Sequence, residues 1–139
     1  MKKIFLSLLL LGLLSWCSTP DNINISKVYP NEVIKWDIFD IVLTIENIDS
    51  KDHKLKLIDI DDDFLDGILI SDVNIKILNE YSIFWMHTYE FEKNITQKSN
   101  IEVILSAKAV KKWDFSGDLD FCIDSDTSCI FNSIRILVN

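Results

Sequence analysis

Glycine and proline are scarce in this sequence. Its 139 residues include only three glycines and two prolines, and both prolines precede residue 31. Linkers between domains are usually rich in such residues, so their scarcity argues against an internal linker. The length also fits one domain. Beyond residue 17, no segment of helical length shows a clear apolar stripe at the helical period, which argues against an α-helical domain.

Positive charge is also in short supply. The chain has 14 Lys and Arg against 22 Asp and Glu, for a formal net charge of -8. Residues 1–17 contain two lysines and no acidic residue, so the remainder carries -10. A domain of this charge is repelled by phosphate backbones and by anionic lipid headgroups. We therefore predict no nucleic-acid partner and no direct binding to an anionic membrane surface.

Residues that usually carry catalysis or bind metals are few and scattered. The two histidines, His53 and His87, share no metal-ligand spacing, and no Cys-x-x-Cys pair or Gly-x-Ser-x-Gly turn occurs. No pairing of a nucleophile with a base is evident near them. We expect both to be surface or hydrogen-bonded structural histidines. The sequence therefore predicts no enzyme activity, no catalytic residue, no metal and no cofactor.

The first 17 residues have the organisation of a secretory signal peptide. Lys2 and Lys3 precede the apolar run 4–14, and the composition becomes polar after Cys17. The apolar run is too short to span a membrane as a helix, which takes about 20 residues. We expect residues 1–17 to be the signal peptide helix, residues 18–21 a tether and residues 22–139 the folded domain.

The end of this segment, Leu14-Ser15-Trp16-Cys17, resembles the lipobox of bacterial lipoproteins. The resemblance implies that Cys17 carries a lipid and becomes the mature N-terminus. Trp16 departs from the small residue that normally precedes the cysteine. Two alternatives therefore stay open: ordinary cleavage after Cys17, which would give a secreted protein, and an uncleaved segment that serves as the anchor.

The odd number of cysteines agrees with lipidation. If Cys17 is joined to lipid, Cys122 and Cys129 remain to pair in an oxidising compartment. A hairpin in which Ile123 faces Ser128 puts the two cysteines directly opposite each other, at a separation that a disulfide can span. We predict this disulfide, with two unpaired, half-buried thiols as the alternative.

Short stretches rich in Ile, Val, Thr and aromatics alternate with polar turns along residues 22–139, which is typical of β-strands. We predict an all-β, antiparallel sandwich of seven to eight strands. The predicted strands are 38–48, 55–61, 68–73, 82–93, 101–110, 118–123 and 129–138, with a shorter first strand around Ile23 and Ile25.

The order of several short motifs resembles the immunoglobulin-like (Ig-like) domains of bacterial cell-envelope proteins. These motifs are a long strand ending in Glu46-Asn47, a strand at Lys54-Leu55, Phe64-Leu65-Asp66-Gly67, and a late strand from Ser116-Gly117-Asp118. The resemblance implies an Ig-like sandwich that binds or spaces and carries no catalytic residues.

Two groups of aspartates invite a calcium interpretation. An EF-hand loop beginning at Asp59 would need Gly at its sixth position and Glu at its twelfth, but Phe64 and Ile70 stand there. We expect the stretch 59–66 to be a solvated acidic loop. Calcium binding between strands, with Asp118, Asp120, Asp124 and Asp126 as the second group, stays open as the alternative.

Five aromatic residues could form a binding platform, but we expect most of them in the core. They are Trp36, Tyr81, Trp85, Tyr89 and Trp113. Trp113 is the exception, because it lies in a predicted turn between Lys112 and Asp114, and it is the candidate binding residue.

These predictions combine into one functional hypothesis. The protein is expected to be a non-enzymatic, lipid-anchored module of the bacterial cell envelope, periplasmic or surface-exposed, that binds or supports another envelope or surface protein. It would be secreted if Cys17 is not lipidated. The alternative is a lipoprotein that binds calcium or glycans.

Overall fold

A computed structural model describes residues 20–139. The predicted signal peptide and the predicted lipidation of Cys17 lie outside the described residues. The described part contains eleven strands and one short helix. The strands are β1 Ile23–Val28, β2 Glu32–Val33, β3 Ile38–Asn47, β4 His53–Asp61, β5 Ile68–Val73, β6 Asn79–Ile83, β7 Met86–Ile95, β8 Asn100–Ala109, β9 Trp113–Ile123, β10 Cys129–Ile130 and β11 Ser133–Val138. The helix α1 is Asp62–Leu65.

The strands form two sheets that pack face to face. The smaller sheet has the order β1-β3-β8-β5, and the larger has the order β2-β11-β9-β4-β7-β6, with β10 paired to β9. All pairs are antiparallel except β2 with β11. The predicted all-β sandwich is confirmed, but the strand number is eleven. Two strands of two residues, β2 and β10, escape a periodicity argument, and the predicted strand 82–93 is two strands, β6 and β7.

The core lies between the sheets and follows the alternation of the strands. Ile41, Leu43 and Ile45 on β3 are fully buried, and so are Phe91 on β7 and Phe121 on β9. Full burial of such a side chain contributes about 1.5–3 kcal/mol. Alternate residues of β3, such as Thr44 and Glu46, face outward, so the sequence pattern and the sheet register agree.

One predicted strand is wrong in an informative way. We expected a single strand over 82–93 with Trp85 on the same face as Tyr89, but β6 ends at Ile83 and β7 begins at Met86. Phe84 and Trp85 form a two-residue hairpin turn between them. An apolar, aromatic pair lacks the Asn-Gly or Asp-Gly signal of such turns, so the alternating pattern of the sequence continues through the turn without a break.

Helix α1 carries the acidic stretch beside β9. Asp61 begins it as the N-cap, and its carboxylate accepts a hydrogen bond from the Asp63 N–H at 3.0 Å. Gly67 follows the helix where a Cβ atom would lie 2.0 Å from the Phe115 ring. Glycine is therefore required for α1 to pack this closely on the sheet. Within residues 20–139, no helix is long and apolar enough to cross a membrane.

Candidate functional site

The sandwich has two ends that differ in chemistry. Strand β4 runs from one end at His53 to the other at Asp61, and Asp61 pairs with Met86 beside the aromatic turn. Strand β1 begins at the His53 end, where Ile23 pairs with Asn47. We call this the N-terminal end. The opposite end, which holds Trp36, Phe84, Trp85 and Trp113, is called the aromatic end.

The disulfide lies at the N-terminal end. Cys122 and Cys129 are bonded, with their Cα atoms 4.0 Å apart, and they are direct partners in the β9–β10 register. The Ile123 N–H donates to the Ser128 carbonyl at 2.8 Å. The predicted pairing and hairpin register are therefore confirmed. The bridge holds together a hairpin that otherwise has a β10 strand of only two residues.

His53 connects this hairpin to the β3–β4 loop. Its Nδ1 lies 2.5 Å from Asp124 Oδ2, and its Nε2 lies 2.9 Å from Asp49 Oδ2. Burial tends to lower the pKa of His53, but the hydrogen bonds to Asp124 and Asp49 and their charges outweigh it, so the pKa is raised above its usual value. The same contact lowers the pKa of Asp49. His53 therefore has a structural role: it joins the β3–β4 loop to the disulfide hairpin through Asp49 and Asp124, as expected for a hydrogen-bonded histidine.

Asn47 completes the closure of this end. Its side chain is fully buried, and its Nδ2 donates to the carbonyls of Lys51 and Ile95, each at 2.9 Å. Its Oδ1 accepts from the Asp49 N–H at 2.9 Å. The Ile48 N–H also donates to the carbonyl of Asn22, at 3.0 Å. The start of the domain is thereby tied to the same loop that His53 holds.

At the aromatic end, the expectation of mostly buried aromatics is wrong. Tyr89 is buried, but Trp36, Trp85 and Trp113 are 59%, 80% and 71% exposed, and Tyr81 is also exposed. Trp113 is exposed as predicted, although it begins strand β9 opposite Val138 instead of lying in a turn. Large exposed aromatics at one end of a domain are typical of binding surfaces.

The β6–β7 turn has the strained conformation of a type I′ hairpin. Phe84 and Trp85 have φ angles of 50° and 62°, a region that is unfavourable for bulky residues. Phe84 is 82% exposed, and the Trp85 carbonyl accepts a hydrogen bond from the Asp62 N–H at 2.9 Å. Strained residues with exposed side chains concentrate at functional sites. This turn is therefore a stronger candidate than Trp113, although nothing in the sequence distinguishes it from a continuous strand.

Trp36 lies in the connection from β2 to β3 and also has a positive φ, of 80°. The Nζ atoms of Lys35 and Lys108 lie 4.7 Å and 5.5 Å from its ring centroid, which places two cations within cation–π range. The Trp36 N–H donates to the Ala109 carbonyl at 2.7 Å. These contacts hold the exposed ring in place.

The aspartates serve separate structural roles. Asp59 accepts from Thr88 Oγ1 at 2.6 Å, Asp66 contacts Lys111 at 2.8 Å, and Asp124 contacts His53. Burial raises the pKa of Asp120 to about 6, opposed by the hydrogen bond from the Asn132 N–H and helped by Asp118 and Asp59. In the part of the chain that the structure describes, no three His, Cys, Asp or Glu residues are grouped as metal ligands would be.

A hydrogen-bonded cluster of Ser82, His87 and Glu80, which the sequence alone does not reveal, lies across the β6–β7 hairpin. Ser82 Oγ lies 3.0 Å from His87 Nδ1, and His87 Nε2 lies 2.7 Å from Glu80 Oε1. Ser82 and His87 are direct cross-strand partners. The hairpin turn brings Ser82 and His87, which are five apart in sequence, onto opposite strands. Had the turn been recognised in the sequence, it would have predicted this contact. The Glu80 side chain is half exposed, so water competes for its carboxylate.

Comparison with known proteins identifies the fold. No known protein family and no curated protein matches the sequence. Among solved structures, native α2-macroglobulin of E. coli is similar, with a TM-score of 0.52 and 12% identity over 86% of this chain and 7% of that chain. The alkylpurine DNA glycosylase AlkC of Pseudomonas fluorescens, bound to DNA containing an abasic site analog, is also similar. Its TM-score is 0.51 and its identity is 8%, over 91% of this chain and 33% of that chain.

A Salmonella α2-macroglobulin mutant gives a TM-score of 0.50 and 12% identity over 84% of this chain and 7% of that chain. The chain thus spans a third or less of each of these proteins. At such low identity the similarity shows the fold alone, and it is an Ig-like β-sandwich. The disulfide between Cys122 and Cys129 is typical of domains that fold outside the cytoplasm.

Proposed function

We propose that the protein is a non-enzymatic interaction module of the bacterial cell envelope, anchored by lipid on Cys17, that binds another protein away from the membrane. The observation that carries this proposal is the separation of the two ends. The N-terminal end is closed by His53, Asn47 and the disulfide, whereas the opposite end exposes aromatic side chains.

The chain length supports this orientation. The six residues from Cys17 to Asn22 span at most about 20 Å, so a lipid on Cys17 would keep the N-terminal end near the membrane. Strand β4 has nine residues and, at about 3.3 Å per residue, a length of about 30 Å. The aromatic end is then directed outward.

Charge and solvent exposure support a protein partner. With -10 outside the signal segment, the domain is repelled by anionic headgroups and by nucleic acid. The Ser82–His87–Glu80 cluster lies on an edge hairpin with a half-exposed carboxylate. It lacks the water-excluded surroundings in which such groups catalyse acyl transfer. We assign it to positioning His87.

The exposed tryptophans favour one second candidate, which is glycan binding by stacking of sugar rings on Trp36, Trp85 or Trp113. Titration with soluble envelope oligosaccharides, followed by tryptophan fluorescence, separates this candidate from protein binding. Saturable quenching that is lost in Trp85→Ala would support it.

Metabolic labelling tests the anchor. Cells that express the full chain are fed an alkyne fatty acid, and the purified protein is examined for the label. The wild type should be labelled and found in the membrane fraction, and Cys17→Ala should be unlabelled and soluble. Cys129→Ser is the matched control, because it removes another cysteine and should keep the label. An unlabelled wild type, or a Cys17→Ala variant that stays in the membrane, would contradict the proposed anchor.

A further inference from the structure

Strand β6 is less protected than the other sheet edges of residues 20–139. Natural edges are blunted by short strands, bulges, proline or charged side chains, lysine above all. Accordingly, β2 has two residues, β5 is irregular between Ile70 and Asp72, and β1 carries Lys27. Strand β6 has a regular register with β7 and contains neither lysine nor proline, and all five of its residues are exposed. Its one charged residue is Glu80, which disfavours a second copy of this edge and favours a segment with a positive charge.

The backbone groups on the open side of β6 follow from its turn. Ile83 and Met86 flank a two-residue turn and so form a hydrogen-bonded pair. Alternation along the strand then directs the N–H and C=O groups of Ser82 and Glu80 away from β7. The Glu80 N–H donates to the Asn79 side chain at 3.0 Å, as expected for a group that does not face β7. The Ser82 N–H and C=O point to the open edge.

Beside this edge, between residues of β5 in one sheet and of β6 and β7 in the other, lie two adjoining clefts of about 150 Å³ and 130 Å³. Ile70, Glu80 and Tyr89 line both, so the clefts are continuous along β6. The cleft nearer the aromatic end is mainly apolar, with Leu65 and Ile68 in its wall, and Glu80 and His87 at its β6–β7 side. We call it the upper cleft.

The other, lower cleft is acidic. Asp72 and Glu80 line it, and neither cleft is lined by lysine or arginine. This edge therefore favours a partner with a positive charge.

We propose that an extended segment of another protein adds to β6 as an antiparallel strand, with an apolar side chain in the upper cleft and a lysine or arginine in the lower one. Alternate side chains of a strand point to the same face, so the two residues are separated by one. Because β6 runs toward the aromatic end, an antiparallel segment begins there, and the apolar residue precedes the basic one. Phe84 and Trp85 then flank the start of the segment.

This inference rests on the proposed function and is tested on the full chain purified in mild detergent. The probe is a short threonine-rich peptide in which an isoleucine precedes a lysine by two positions. The control peptide has the same composition with the two residues exchanged. Titration calorimetry should show binding of the first peptide and at least roughly tenfold weaker binding of the second, the difference made by one misplaced charge and one misplaced apolar group.

Two variants of one residue test the strand pairing itself. Ser82→Pro removes the N–H at the open edge but leaves the pairing of β6 with β7 intact, because proline is tolerated at such positions. It should weaken binding at least roughly tenfold. Ser82→Ala keeps the N–H and should bind like the wild type, with both variants showing the wild-type far-UV circular dichroism.

Three results would overturn the inference. They are equal binding of the two peptides, no binding by a folded wild type, and a wild type that instead dimerises through β6 and becomes monomeric in Ser82→Pro. None of them affects fatty-acid labelling of Cys17, so failure of the strand-addition site and failure of the proposed anchor can be told apart.

Discussion

His53 and Asp124 are 71 residues apart in sequence, and the histidine Nδ1 lies 2.5 Å from the aspartate Oδ2. The contact joins the β3–β4 loop to the disulfide hairpin. Asp124 also accepts a hydrogen bond from the Lys54 N–H at 2.8 Å and has a positive φ of 66°. One aspartate therefore fixes both the first residue of β4 and the hairpin loop, and it makes this end of the domain sensitive to the charge of His53.

The stability of the domain should fall as the pH rises through the pKa of His53. The folded pKa is raised above the unfolded value of about 6.5. The histidine therefore stabilises the fold fully below about pH 6.5, and this contribution is lost as the pH rises through the higher folded pKa. Chemical unfolding between pH 5 and 9 measures it.

In His53→Gln the loss of charge-assisted hydrogen bonds should cost about 1–3 kcal/mol at low pH and remove the pH dependence above about pH 6. Ser50→Ala, in the same loop, should retain the wild-type profile. If the free energy of unfolding of His53→Gln changed with pH as steeply as that of the wild type, His53 would not be the group whose titration is coupled to folding.

Asp120→Asn should stabilise the domain at neutral pH. Burial, aided by Asp118 and Asp59, raises the pKa of this carboxyl to about 6, although the Asn132 N–H opposes the shift. The folded pKa exceeds the unfolded one, so between about pH 4 and 6 the unfolded state has lost a proton that the half-buried carboxyl still holds, and the wild type loses stability as the pH rises through this window. Asparagine keeps the acceptor for Asn132 and removes this loss. Asp126→Asn removes the same charge from an exposed loop and should leave the wild-type profile unchanged in this window.

Replacing the aromatic turn by Asn-Gly should make the fold more stable. Left-handed backbone costs roughly 1–2 kcal/mol at a bulky residue, and Asn-Gly is the preferred type I′ pair. We expect Phe84→Asn with Trp85→Gly to raise the free energy of unfolding by about 1–2 kcal/mol. Phe84→Ala with Trp85→Ala removes the same rings without relieving the backbone and should give no gain. Loss of stability in the Asn-Gly variant would mean that the rings stabilise the fold.

Reduction of the disulfide should weaken the domain without unfolding it. The bridge closes a short loop, and the chain-entropy model gives a stabilisation of about 2–3 kcal/mol. Thermal unfolding with and without reductant should show a lower midpoint and an unchanged folded spectrum. In Cys129→Ser, reductant should have no effect. Two alkylatable thiols in the unreduced, unfolded protein would show that the bond is absent.

The sequence was informative wherever one local rule dominates. Ile41, Leu43 and Ile45 alternate with polar residues and are buried as predicted, because one strand face must pack in the core. Cys122 and Cys129 could be paired because both lie beside one short loop. The run 68–73 was predicted with the boundaries that β5 has.

The candidate site was less predictable because it breaks the local rules. Phe84 and Trp85 continue an alternating apolar pattern, yet they form a turn at an energetic cost that only the folded hairpin reveals. The contact of His53 with Asp124 spans 71 residues and has no sequence signal. The parallel pairing of β2 with β11 joins the first and last parts of the domain and is equally invisible to periodicity.

Photo-crosslinking in cells tests whether the aromatic end contacts another protein while the N-terminal end faces the membrane. Benzoylphenylalanine is introduced at Trp85 in one strain and at Asp126, on the disulfide hairpin, in another. We expect a discrete protein crosslink from position 85 that is lost when Ser82→Pro is added, and none from position 126. A discrete protein crosslink from position 126 alone, or from neither position, would contradict it.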